Sequence, residues 1–197
     1  MHSTRSDRYL PADAQSVKIV ILGPFAVGKT TYVGSVSEIR PMRTEEQMTR
    51  AGELVDDLRG MEGKDTTTVA MDFGRLTLTE DIVLYLFGAP GQPRFRAMVR
   101  SLMEGALGGL VLADTRRLDQ SFDSIDLLED TGLPYTVAVN EFDGAPDYSD
   151  AELRDALSMD EDTPLVRLDA RFRDSAKQGL ISLVTQILRR PSLEPAR

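Results

Sequence analysis

The residues best suited to chemistry begin with the run Gly23-Pro24-Phe25-Ala26-Val27-Gly28-Lys29-Thr30. It fits G-x-x-x-x-G-K-[ST], the phosphate-binding P-loop pattern. Gly23 and Gly28 let the backbone wrap closely around an anion, with no Cβ in the way. The N–H groups of the turn, through Ala26, Val27 and Gly28 to Thr31, and the positive end of the following helix then face a phosphate. Lys29 would reach the β- and γ-phosphates, and the Thr30 hydroxyl would bind Mg²⁺. A second candidate is Asn140-Glu141-Phe142-Asp143. A carboxylate at Asp143 can accept from guanine N1–H and its exocyclic amine. Adenine has no donor pair there, and an unpaired buried charge is costly. Asn140 would orient that loop and bond the guanine edge.

Composition narrows the chemistry further. The chain has 197 residues, 23 Lys+Arg against 32 Asp+Glu, a formal charge of −9, no cysteine and one histidine, His2. Disulfides, thiolate catalysis, Ser-His-Asp catalysis and His- or Cys-based metal sites are thereby excluded. Mg²⁺, which takes oxygen ligands, is the metal left with a plausible site. The acidic balance argues against nucleic acid and anionic lipid as non-specific partners. No apolar run reaches membrane-spanning length, residues 1–16 lack a signal-peptide core, and no lipidation motif stands at either end. The expected setting is cytoplasmic, with any membrane attachment made through partners.

These residues need elements to position them. Val17, Ile19, Val20, Ile21 and Leu22 form an apolar run that reads as a buried parallel strand feeding the P-loop. A helix follows to about Ile39, stopped by Pro41. Thr44 with Gln47 resembles a capping box, and Met48, Ala51, Val55 and Leu58 recur at helical spacing, which predicts a helix over 44–58. The β-rich run 66–78, a turn at Thr79-Glu80-Asp81 and a strand at 82–87 predict an antiparallel pair. Strands at 110–113, 135–139 and 165–168 alternate with helices at 94–104, 122–129, 149–157 and 175–189, and Ser149 with Glu152 forms a capping box. The fold expected is α/β: a three-layer P-loop NTPase fold with a mostly parallel six-stranded sheet, one antiparallel strand and helices on both faces. The P-loop, residues 88–92, Asn140 and Asp169 each follow a strand, so four loops should converge on one rim. Residues 1–15 read as a mobile arm, 16–190 as one domain and 191–197 as a short tail.

With these pieces in order, the chain resembles the small Ras-like GTPases over about residues 17–189. In the stretches 38–46 and 66–74 it is similar to the bacterial members of the actinobacterial conservon group, and more distantly to the MglA-type GTPases. The resemblance implies that GTP or GDP with Mg²⁺ is the ligand. Thr68 would be the switch I threonine closing on Mg²⁺ and the γ-phosphate, with Thr67 as fallback. Gly91 would offer its N–H to the γ-phosphate, and Gln92 would orient the attacking water. The loop Asp169-Ala170-Arg171 would support the base, with the Ala170 N–H on its carbonyl. Ser175-Ala176-Lys177 spells the family's base-supporting motif but falls inside the last predicted helix. Gly88 stands where the family has an aspartate, Glu141 where it has a lysine, and Pro93 stiffens the loop after Gln92.

The implied role is a slow GTP-hydrolysing switch in bacterial signalling. A roadblock-type regulator and a sensor-kinase complex are its implied partners. A non-hydrolysing nucleotide-binding scaffold, motivated by Gly88 and Glu141, and a P-loop ATPase or small-molecule kinase are the alternatives.

Overall fold

The computed structural model describes residues 14–49 and 66–189. The logic of the fold is carried by its first strand, β1 (Gln15–Leu22). Ile19 and Ile21 point to one face and Val20 and Leu22 to the other, and all four are buried. A strand apolar on both sides must be covered on both sides. On one face α1 (Lys29–Val36) and α5 (Arg173–Arg189) pack Val33, Leu180 and Leu183 over Ile19 and Ile21. On the other, α2 (Arg96–Met103) and α3 (Phe122–Thr131) bring Val99, Met103 and Leu128 onto Val20 and Leu22. The short α4 (Asp150–Ala156) adds Leu153 to that second layer. Its Ser149 Oγ accepts from the Glu152 N–H at 3.3 Å while the Ser149 N–H donates to Glu152 Oε2 at 2.8 Å, the capping box read from sequence.

The remaining strands are β2 (Met42–Thr49), β3 (Thr66–Thr77), β4 (Ile82–Gly88), β5 (Gly108–Ala113), β6 (Tyr135–Asn140) and β7 (Leu165–Leu168). They join β1 in one sheet of order β2-β3-β4-β1-β5-β6-β7. β4, β1, β5, β6 and β7 run parallel to one another, and β3 alone runs against them. The α/β class, the mostly parallel sheet with one antiparallel strand and the helices on both faces are thus as expected.

One element differs. Residues 42–49 form β2, an additional strand, where a helix over 44–58 was expected. β2 pairs antiparallel with β3 along its whole length, from Met42 opposite Phe73 to Thr49 opposite Thr66. The open edge of β3 presents a row of backbone donors and acceptors, and an eight-residue ladder satisfies them. Local capping and spacing signals are weak beside that. Residues 50–58 of the expected helix, residues 1–13 of the expected arm 1–15 and the tail 191–197 lie outside the described residues, while Gln15 of that arm opens β1.

Candidate nucleotide site

Because β1, β4, β6 and β7 are parallel, their carboxyl ends open at one rim, and the loops that follow them meet there. The turn after β1 wraps tightly. Gly28 sits at φ 103°, and a Cβ there would lie 2.7 Å from Asn140 Nδ2, so only glycine fits. Ala26 is carried into the left-handed region at φ 61°, a strain that sequence gives no sign of.

Asn140 ends β6 and is almost fully buried. Its Nδ2 donates to the Val27 carbonyl at 2.9 Å, and its Oδ1 accepts the Ala170 N–H at 2.9 Å. One amide therefore ties the P-loop, the loop after β6 and the β7–α5 loop together. The Ala170 N–H, expected to face a base carbonyl, is engaged by Asn140 in this structure. Ser175, of the Ser175-Ala176-Lys177 run, lies inside α5 as expected and its Oγ accepts the Asp169 N–H at 2.9 Å.

At the phosphate end, Lys29 Nζ donates to the carbonyls of Gly23 and Pro24, both at 2.7 Å. Gly91 packs directly on the loop: a Cβ there would lie 2.6 Å from both Lys29 Nζ and the Phe25 nitrogen. Gln92 is half-buried beside it, and its carbonyl accepts the Phe95 N–H at 3.0 Å at the start of a short 3-10 turn opened by Pro93. Lys29, Thr30, Thr31, Asp72, Gly91 and Gln92 line a pocket of about 480 Å³.

Sequence reasoning missed Asp72. It lies on β3 directly opposite Gly88 and accepts a hydrogen bond from Thr30 Oγ1 at 2.6 Å. A carboxylate thus stands on β3 directly beside the position on β4 where the resemblance led one to expect an aspartate. A Cβ at Gly88 would lie 3.1 Å from Asp72 Cβ and 3.3 Å from its Oδ2, so glycine makes room for it. With its proton donated to Asp72, the Thr30 oxygen keeps its lone pairs for a cation, the donor chemistry that Mg²⁺ takes. Among the described residues no group of three or more acidic or histidine side chains forms a closed metal cage. Thr68 lies on β3 as well, opposite Gln47 of β2.

Burial pushes the Lys29 ammonium down to about 8, against the pull of Asp72. An unfolded lysine stays charged to about 10.4. Between those values the unfolded chain holds a proton that the folded chain has released, so stability of the nucleotide-free protein rises with pH across that window. Lys29→Met is expected to abolish this rise. Urea unfolding between about pH 7.5 and 10 checks it, and parallel curves for wild type and variant would contradict it.

At the base end, Asp143 is exposed and pairs with Arg171 at 3.1 Å, and Arg171 also pairs with Asp169 at 2.7 Å. Arg171 holds both carboxyls below the usual carboxylate range. Phe142, between Asn140 and Asp143, lies 4.0 Å beneath the Arg116 guanidinium. Arg116 in turn pairs with Asp114, fully buried at the end of β5, at 2.8 Å, and Arg117 reaches from Asp114 to the Phe25 carbonyl. Burial raises the Asp114 carboxyl, but the hydrogen bonds and charge of Arg116, with a hydrogen bond from Arg117, together hold it below the usual range.

The same fold occurs in solved G domains of other proteins. The chain is similar to the translation elongation factor SelB of Methanococcus maripaludis in complex with the GTP analogue GppNHp, with a TM-score of 0.59 and 17% identity over 93% of this chain and 36% of that one. It spans only about a third of that elongation factor. The FeoB G-domain of Methanococcus jannaschii gives a TM-score of 0.58 at 14% identity, covering 88% and 99% of the two chains. The cytosolic domain of the T. maritima FeoB iron transporter in a GDP form gives 0.62 at 16%, covering 93% and 68%. At these identities the likeness is one of fold. No curated protein matches the chain in sequence. No helix among the described residues is long and apolar enough to cross a membrane. Residues 21–190 match the sequence profile of a family described as conserved hypothetical ATP binding protein, and the chain belongs to that family.

Proposed function

We propose that this chain is a Mg²⁺-dependent guanine-nucleotide switch that hydrolyses GTP slowly, built on one domain over residues 16–190. The observation that supports this best is the Asn140 amide, bonded to both the Val27 carbonyl and the Ala170 N–H. It ties the P-loop to the loop after β7, at the start of the loop that carries Asp143.

In this reading Gly23, Ala26, Val27, Gly28, Lys29, Thr30 and Thr31 cradle the phosphates, with Lys29 on the β- and γ-groups. Thr30, backed by Asp72, and Thr68 would hold Mg²⁺, which when bound would supply charge neutralisation at the phosphate oxygens. Gln92 orients a water in line with the γ-phosphorus, and Gly91 offers its N–H to the γ-phosphate. Attack forms a new P–O bond and breaks the bond to the β–γ bridging oxygen, giving GDP and phosphate. Among the described residues lining the phosphate pocket there is no arginine, and an arginine on the transition-state charge is worth about 10³–10⁵ in rate, so slow turnover is expected of the chain alone. Loss of the γ-phosphate then frees the segments around Thr68 and Gly91. The resemblance to the conservon group makes a roadblock-type regulator and a sensor-kinase complex the proposed partners, with any membrane attachment passing through them.

A second reading, ATP binding, is favoured by the family's description. It leaves Asp143 without a base to read. Phosphate release from GTP and from ATP by the purified protein separates the two: slow release from GTP alone supports the switch, and faster release from ATP supports the alternative.

A further inference from the structure

The base-reading carboxylate already has an occupant. Arg171 Nη1 donates to Asp143 Oδ2 at 3.3 Å and Nη2 donates to Oδ1 at 3.1 Å. These are two parallel N–H donors, joined through one carbon, on the two oxygens of one carboxylate. Guanine presents the same arrangement, N1–H and the amino N–H joined through C2. The guanidinium does not depend on Asp143 for its place. Arg171 Nε donates to both Asp169 oxygens at 3.0 and 3.1 Å, and its own backbone N–H bonds Asp169 Oδ1 at 2.9 Å. The Asp169 side chain is largely buried, whereas that of Asp143 is 87% exposed. Arg171 is thus carried by one carboxylate and turns its outer edge to the other.

We infer that Arg171 is a specificity-determining residue that imitates the guanine edge and competes with guanine for Asp143. The inference rests on the proposed guanine reading of this site. A guanine base must take Asp143 from the arginine before the carboxylate can read it. An adenine base, with no donor pair at that edge, leaves the contact intact. Arg171 therefore lowers the preference for guanine over adenine without touching the phosphate cradle. Any packing of its side chain on the base acts on both purines alike and cancels in their ratio.

The test is the ratio of ADP to GDP dissociation constants, measured with Mg²⁺ at low salt for wild type, Arg171→Ala, Arg171→Met, Asp143→Ala and the Asp143→Ala/Arg171→Ala double variant. The methionine variant keeps an aliphatic stem, so a change shared with alanine reports the lost donors. The expected result is a ratio about two- to fivefold higher in both Arg171 variants, the scale of an exposed ion pair, and no such rise when Asp143 is absent. A ratio that is unchanged or lower in the Arg171 variants, while wild type prefers GDP and Asp143→Ala does not, overturns this inference and leaves the guanine reading standing. No guanine preference in wild type or in either Arg171 variant overturns both.

Discussion

Asp72→Asn is expected to weaken Mg²⁺-dependent nucleotide binding about ten- to hundredfold, the usual cost of losing the group that orients a metal ligand. The asparagine keeps the size of the side chain and an oxygen for the Thr30 hydroxyl, so the fold should survive. What is lost is the negative charge 2.6 Å from Thr30 Oγ1, the side-chain acceptor on that hydroxyl among the described residues. Gly88, opposite on β4, has nothing to replace it. Titration of GDP binding with Mg²⁺ reads the effect directly. Affinity in EDTA should be nearly the same for wild type and variant, and the gain on adding Mg²⁺ should shrink. An undiminished Mg²⁺ gain would show that Asp72 only packs against Gly88.

Gln92→Leu is expected to lower GTP turnover roughly ten- to hundredfold, the scale set by misplacing a reacting group, with nucleotide affinity within about twofold of wild type. The backbone at Gln92 is held by the Phe95 N–H and by Pro93 on its carboxyl side, and Gly91 is pressed onto the P-loop before it. That leaves the side chain as the part free to orient a water, and leucine removes its polar end while keeping its bulk. Single-turnover phosphate release from pre-bound GTP separates the chemical step from binding. An unchanged rate would favour a nucleotide-binding scaffold over a hydrolytic switch.

What the sequence made legible follows from how local each signal is. The P-loop could be read because its glycines, lysine and threonine are consecutive. β5 and β6 could be read because both are buried on both faces: β5 is an unbroken apolar run and β6 a β-branched and aromatic one that includes Thr136. The Ser149 capping box could be read because both partners lie within one turn. The similar Thr44–Gln47 pattern misled, because the ladder with β3 decides those residues from outside their own segment.

Asp72 was within reach and still missed. A turn centred on Glu80 reflects residue 72 onto residue 88, the register the hairpin adopts. The position facing Gly88 across that hairpin is therefore fixed by the turn and carries an acid. The contacts of Arg171 were out of reach: Asp143 is 28 residues away, and the pairing depends on how two loops are set beside each other. The triple tie through Asn140 was legible only as a loop-orienting residue, because its partners come from the far ends of β1 and β7.

The measurement that tests the central claim most directly is equilibrium binding of GDP, GTP and ATP to nucleotide-stripped protein in Mg²⁺, with Asp143→Ala alongside. The account predicts guanine nucleotides bound in clear preference to ATP by the wild type, and that preference lost in the variant with phosphate-dependent binding retained. Preference for ATP in the wild type, or equal binding unaffected by Asp143→Ala, would contradict it and leave only the phosphate cradle.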